Sequence, residues 1–507
     1  MKLPSVTRGI RHLPATLMWI TILSAILYPL VQADYPPGAD MLNHVARVHV
    51  LYNLPNDPAL QKYYQADWGI IPNLAFDLFS VPLLNVMSAA MAGKLFIGLT
   101  LLLMFAGVSA LRYILFGRVG LLPLCVGLVA YSAPIALGFA NFSFGIGLML
   151  LMLAGWLALS RQKYQLRFAV GTCFSLILFF THLIVFGLYT AVLVSVRANE
   201  LLRGGKWNLR TESLIVGPLL LPACLWFWVK PSAMGTQTVF GSFAGRLEAL
   251  MSPVMYFNNF DIAVAISLLV IIAWLLSSQR ARINPVLLIA IIMLTVIALL
   301  MPVRLFGVWL THIRLPLVVA LLFIAAVEIR IPERKLRGLI VLALLTIGGF
   351  RLDKVTHSIN LCDDKRQQFS RAMAVIETGA RLLPVIEPDS TTGDCLFSGY
   401  WHLPAIAVID KSTFNPMMFV HLQPLAFRPE YRPLIQKVAQ PASPGLLAGE
   451  PFAPGEPRWN AVIAAKWREK FDYLIWLHPG TSPKRVPLDL QFLSRSDFFT
   501  IYKIPGK

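Results

Sequence analysis

Runs of about 20 apolar residues recur along this 507-residue chain, beginning near Ala15, Leu95, Val119, Ser143, Phe168, Leu183, Leu214, Ile262, Val286, Leu315 and Leu336. A run of about that length is what an α-helix needs to cross a hydrocarbon core. Water is absent there, so each backbone polar group must be satisfied within its own segment, and the runs are expected as helices. About eleven spans follow. Composition agrees: 57% of residues are hydrophobic and 14% charged, against about 25% charged in soluble proteins. Mean hydropathy is +0.65, which excludes an ordinary soluble enzyme. Five cysteines form no CxxC pair and no Cys/His spacing suited to a metal. The first run, preceded by Lys2, Arg8 and Arg11, fits a signal peptide or a retained anchor, and its length favours the anchor.

The net charge of +18 acquires its meaning from position. With the N-terminus inside, eighteen Lys and Arg residues before Phe350 fall in inner loops and seven in outer ones. Basic residues stay on the cytoplasmic side during insertion, so this alternation supports both span count and orientation. The charge belongs to membrane topology, and nucleic acid is not an expected partner. An odd number of spans places residues 351–507 outside. That tail reads as a soluble mixed α/β domain, with a helix from Gln367 to Leu383, strands at Ala405–Ile409, Tyr473–Leu477 and Phe499–Ile504, and a Pro/Gly-rich loop from Pro441 to Pro457. The expected fold is therefore a polytopic α-helical membrane domain, residues 1–350, followed by an extracytoplasmic mixed α/β domain, residues 351–507.

Between the first two runs lies an outer loop, residues 33–93, far longer than a connection requires. It holds Asp34, Asp40, Asp57, Asp67 and Asp77, five of the eleven acids in the first 350 residues. Two stretches within it, Asp40 to Leu51 and Asn73 to Met87, read as helices lying along the membrane surface. Asp40, His44 and Arg47 recur at helical spacing and share one face. Asp40 then either caps that helix, or serves as a general base whose charge is set by His44 and Arg47, with an anion bound beside them.

From here the chain resembles a family. A first span, an outer loop opening with an Asp and two surface helices, many short spans and a soluble outer tail resemble the GT-C glycosyltransferases. So do "LFGR" at 115–118, "YSAP" at 131–134 and "THL" at 181–183. The resemblance covers residues 14–350 in layout. It implies transfer of a sugar from a polyprenyl-phosphate donor to a glycan, lipid or protein acceptor at the outer face of a bacterial inner membrane, with membrane lipids as neighbours. It also implies Asp40 as the base. Many relatives carry a second acid in the next outer turn. Here Asn141 occupies that place, able to orient an acceptor hydroxyl but unable to act as base. A second acid must then come from Asp34 or Asp67, and neither a metal nor another cofactor is expected.

The segment Met301–Pro316 carries Arg304, His312 and Arg314 between two otherwise uncharged spans. Arginine's planar fork suits phosphate, and charge at a membrane boundary is costly unless used. Family members often place an Arg here, so Arg314 is the first candidate for the donor phosphate, with Arg304, His312 and Arg47 beside it; snorkelling to headgroups is the plain alternative. His182 is either an acceptor contact or an interfacial histidine. Cys362 and Cys395 lie in the tail, where a disulfide is chemically allowed. A polysaccharide polymerase or ligase would use the same outer arginines. A transporter or flippase would need charge near span centres and related halves of the chain, and the acids cluster in the outer loop instead.

Overall fold

The computed structural model describes residues 6–229, 238–305, 308–387, 400–420, 422–434, 442–447, 467–479, 481–483 and 486–505, the side chains of 6–15 and 446 excepted. Helices follow in the order α1 (Val6–Gln32), α2 (Met41–Asn53), α3 (Pro58–Tyr63), α4 (Ala75–Leu83), α5 (Ala89–Phe116), α6 (Ala133–Ala136), α7 (Ala140–Ala158), α8 (Tyr164–Thr181), α9 (Leu183–Leu202), α10 (Leu209–Val229), α11 (Phe243–Ala249), α12 (Asp261–Ser277), α13 (Pro285–Leu300), α14 (Leu315–Ala326), α15 (Arg334–Ala372) and α16 (Pro404–Lys411). The chain divides into two compact units. One comprises Met1–Gln32, Ile97–Ile135 and Phe142–His357; the other comprises Ala33–Phe96, Ala136–Asn141 and Ser358–Lys507.

The first unit is helical. Five helices among the described residues are long and apolar enough to cross a membrane (α5, α7 extended to Arg161, α8, α9 and α10), and α12, α13, α14 and Thr16–Gln32 of α1 are shorter apolar helices. Large side chains such as Leu269, Val270, Ile292 and Trp228 stay exposed on them, as a lipid-facing surface requires. Two short antiparallel pairs lie among these helices: β2 (Ala281–Ile283) with β5 (Val327–Ile329), and β3 (Arg304–Leu305) with β4 (Val308–Trp309).

The run from Val119 departs from expectation. It forms a 3-10 helix, Leu122–Leu128, and a short α6 in place of a membrane-length α-helix. Gly117 and Gly120 take positive φ, and Pro123 and Pro134 remove donors, so a continuous α-helix cannot form. The segment still traverses the unit. A Cβ on Gly147 of α7 would meet Leu103 and Met104 of α5, and one on Gly107 would meet Leu150 and Leu151, so α5 and α7 touch backbone to backbone and run parallel. The connection between parallel neighbours must return their length. It does so along α5: the Val119 carbonyl accepts from Arg112 Nε at 3.0 Å, and a Cβ on Gly127 would meet Phe105 and Ile26. Irregular backbone at this depth is tolerated where protein surrounds it, and Val126, Ala130, Tyr131, Ser132 and Ala133 are all buried.

The second unit joins the long first loop to the tail. Strands β6 (Leu382–Ile386), β8 (Tyr473–Leu477), β10 (Phe499–Lys503) and β9 (Gln491–Arg495) form one sheet in that order; β6 and β8 run parallel, and the other pairs antiparallel. A separate antiparallel pair links β1 (Tyr64–Ala66) of the loop to β7 (Leu425–Phe427) of the tail, with Tyr64 opposite Phe427. Leu42, Ala46 and Val50 of α2 share a single core with Phe369, Ile406, Trp476 and Ile501. Two tail elements differ from expectation. The Gln367–Leu383 helix is instead the end of α15, which stops at Ala372; a 3-10 turn follows, and Leu383 lies in β6. The Ala405–Ile409 strand is the helix α16, opened by Pro404 at its first position and buried from 404 to 408, so its apolar run resembled a central strand. Strands at Tyr473–Leu477 and Phe499–Lys503 lie as expected. Cys362 is buried in the core, and Cys395 lies outside the described residues, as does most of the Pro441–Pro457 stretch.

Candidate active site

Asp40 sits at the turn that opens α2. Three supports hold this turn within the second unit. The 136–138 segment accepts from the backbone N–H groups of Ala39 and Asp40, at 3.0 Å each. Arg366 of α15 donates to the carbonyls of Pro36 and Gly38 at 2.9 and 3.0 Å. Asp363, one turn earlier, accepts from the N–H groups of Asp34 and Tyr35. Gly138 is required here, since it takes φ +80° and a Cβ would come within 2.7 Å of the Asp40 nitrogen.

The Asp40 side chain makes no capping hydrogen bond to α2. Its Oδ1 instead lies 3.2 Å from Nε2 of His402, with the carboxylate about one quarter exposed and the imidazole buried. His402 precedes α16, and its Nδ1 is 3.3 Å from the Asn43 amide nitrogen. The same amide donates to the Met417 carbonyl at 2.7 Å and accepts the Phe419 N–H at 2.8 Å. Asp40, His402 and Asn43 thus form one continuous polar row, buried at Asn43 and His402 and partly exposed at Asp40. His402 carries no local pattern in the sequence that marks it; it stands 362 positions from Asp40.

The remaining first-loop residues separate from this row. His44 is buried with its ring against Phe76 and Phe419, centroids 5.5 and 5.4 Å away. Burial above all, with Arg47 and His402 adding, holds it well below the usual histidine range, so the ring is neutral. Arg47 was expected to meet a phosphate. It is instead fully buried and bonded through two nitrogens to Asp77, at 2.7 and 2.9 Å, because a desolvated guanidinium requires a matched carboxylate. Asp57 caps α3, accepting from Ala59 and Leu60 N–H. Asp34 lines a cavity of about 730 Å³ with Val45, His49, Tyr52 and Arg371. At 3.6 residues per turn, Val45, His49 and Tyr52 lie on the side of α2 opposite Asp40 and His44, so Asp34 belongs to a different surface. Asp67 is exposed beyond β1, its N–H donating to the Pro424 carbonyl. Asn141 was expected to orient an acceptor. Its amide is fully engaged, accepting from Phe76 N–H at 2.6 Å and donating to Asn73 at 2.7 and 2.8 Å, which pins the left-handed Asn73 (φ 80°) before α4.

In the first unit, Arg314 is buried just before α14, with its guanidinium over the Phe142 ring at 5.4 Å. His182 also meets Phe142, edge-on at 5.5 Å, and caps α9, Nδ1 accepting from Ile184 N–H at 3.2 Å. Neither the acceptor contact nor the interfacial role expected for it included this helix cap. Arg304, on β3, lies over Trp309 at 5.2 Å. His312 is buried in the turn between β4 and α14; burial lowers its basicity, opposed by Glu248.

No family model matches the chain, and a search of curated proteins finds no match. Solved structures do match. The crystal structure of ArnT from Cupriavidus metallidurans bound to undecaprenyl phosphate aligns with a TM-score of 0.57 and 12% identity, covering 98% of each chain. The apo crystal structure of the same protein aligns at 0.50 and 15% identity, over 97% of this chain and 98% of that one. This is the fold of ArnT. The layout expected from the apolar runs and the long first loop, many helices followed by a sheet-bearing tail, is present in the folded chain. The ArnT likeness covers membrane helices and tail together, and the chain is a polytopic helical membrane protein with a C-terminal sheet domain.

Proposed function

We propose that this protein is an inverting, integral-membrane glycosyltransferase that moves a sugar from a polyprenyl-phosphate donor to an extracytoplasmic acceptor. The observation that carries the reading is the state of Asp40. It is a partly exposed carboxylate relieved of helix capping and set against a buried histidine, in a chain with the fold of a protein that binds undecaprenyl phosphate. Asp40 would take the proton of the acceptor hydroxyl as that oxygen attacks the anomeric carbon. The bond from that carbon to the phosphate oxygen breaks, and polyprenyl phosphate leaves with the electron pair. A phosphate is a good leaving group, so a positioned base and a cation to stabilise the departing charge suffice.

For that cation we assign Arg314, with Arg304 and His312 in support. Expected results follow for purified full-length protein given synthetic undecaprenyl-phosphate hexoses and pentoses, with release of undecaprenyl phosphate as the readout. Arg314→Ala should lower release strongly, and Arg314→Lys should recover only part, because a point charge cannot reproduce a planar two-pronged contact. Equal rates in all three forms would make Arg314 a packing residue on Phe142. No release from any donor by the unaltered protein would count against the donor class.

The orientation that this reading requires is N-terminus inside and tail outside, in a bacterial inner membrane. A reporter active only outside the cytoplasm should be active when fused after Lys507 and silent after Lys163 or Arg282. The return of residues 117–135 within the first unit supports this parity, since it supplies a crossing without a full α-helix. A silent Lys507 fusion would overturn it.

A further inference from the structure

The hydrogen bonds around Asn43 settle which nitrogen of His402 carries the proton. A backbone N–H can only donate, so the atom of Asn43 that meets Phe419 N–H at 2.8 Å is the amide oxygen. The amide nitrogen is thereby turned to the Met417 carbonyl and to His402 Nδ1. Both of those partners must accept. A neutral imidazole whose Nδ1 accepts has its proton on Nε2, the nitrogen 3.2 Å from Asp40 Oδ1. Ring contacts hold the imidazole in that plane, since Phe419 lies edge-on at 5.1 Å and His402 itself is buried. We propose that His402, locked as the Nε2–H tautomer by Asn43, is the positioning residue of the catalytic carboxylate: it presents one N–H to Asp40 Oδ1 and leaves the other oxygen of Asp40 turned to the acceptor hydroxyl. The proposal rests on Asp40 being the base.

The groups facing His402 are few. Asp40, Asn43 and His44 come from α2 and its opening turn, and Phe419 with the Met417 carbonyl from the segment after α16. Arg47 approaches His44 but is neutralised by Asp77. No second carboxylate pairs with the ring among the described residues, so its N–H has one target.

The test uses release of undecaprenyl phosphate from synthetic undecaprenyl-phosphate sugars by the full-length protein. His402→Leu removes the donor while filling the space; His402→Gln keeps an N–H at about the place of Nε2. His402→Leu should lower kcat by roughly 10- to 100-fold, the loss expected for one hydrogen bond to a charged group, with KM for the donor little changed. The acid limb of its kcat/KM profile should move to higher pH, because a donor that favours the charged form has been removed. His402→Gln should restore most of the rate and the limb. A purely structural histidine predicts that Leu and Gln variants lose activity in step with folded protein, with the limb unmoved, and that result overturns the proposal. The double variant Asp40→Asn/His402→Leu should be no slower than Asp40→Asn alone, since the two act as one unit. Multiplying losses would overturn it while leaving Asp40 as base. An Asp40→Asn variant of near-normal rate would instead remove the base reading itself.

Discussion

Asp40→Asn should lower sugar transfer by something like 10²- to 10⁴-fold, the usual worth of a positioned base, with the level of protein in the membrane unchanged. The substitution keeps the size and planarity of the side chain and removes its ability to take a proton. The competing role of helix cap no longer stands in the way, because the Asp40 carboxylate bonds no N–H of α2 and is directed to His402. Loss of activity in Asp40→Asn therefore reports on chemistry rather than on the start of the helix. Asp34→Asn and Asp67→Asn serve as companions. Asp34 faces the cavity on the other side of α2 and Asp67 is exposed past β1, so both should transfer sugar at close to the normal rate. A near-normal Asp40→Asn beside an inactive Asp34→Asn would move the base to the cavity.

Asp77→Ala should produce the largest loss of stability in the second unit. Arg47 and Asp77 are both fully buried and joined by two short bonds, so removing the carboxylate strands a guanidinium in the interior. Breaking such a pair costs about 3–5 kcal/mol, comparable to a sizeable part of a domain's whole stability of about 5–15 kcal/mol. Thermal unfolding of detergent-purified protein should show a markedly lower Tm, and steady-state levels in the membrane should fall with it. Replacing both partners, Arg47→Met with Asp77→Leu, should recover much of the loss, because no charge is then left unpaired. If Arg47 were a phosphate ligand instead, the double variant would fold well but fail to use the donor. Normal turnover by a folded Arg47→Met/Asp77→Leu protein would confine the pair to a structural role.

The sequence alone determined the class of molecule. Apolar runs about 20 residues long admit few structures, since backbone desolvation is a local cost met by local helices. Ten of the eleven runs lie in helices, and the strands at 473–477 and 499–503 were legible as short apolar runs rich in aromatic and β-branched residues. The start of α2 was legible too, with Asp40 just ahead of its first residue, Met41. Local pattern failed where neighbours set the outcome. Residues 405–409 are apolar on every side, so periodicity could not separate a buried helix from a buried strand, and the packing of α16 against α2 decided it. Glycines at 117 and 120 denied residues 119–139 a long helix, yet its return path came only from the parallel contact of α5 with α7. Side-chain partners were the least legible. His44 and Arg47 share a helical spacing with Asp40, but burial directs one to Phe76 and Phe419 and the other to Asp77. The residue that does meet Asp40 is His402, in the tail. A side-chain contact across that separation leaves no trace in spacing, because it is created only when the first loop and the tail bury a common core.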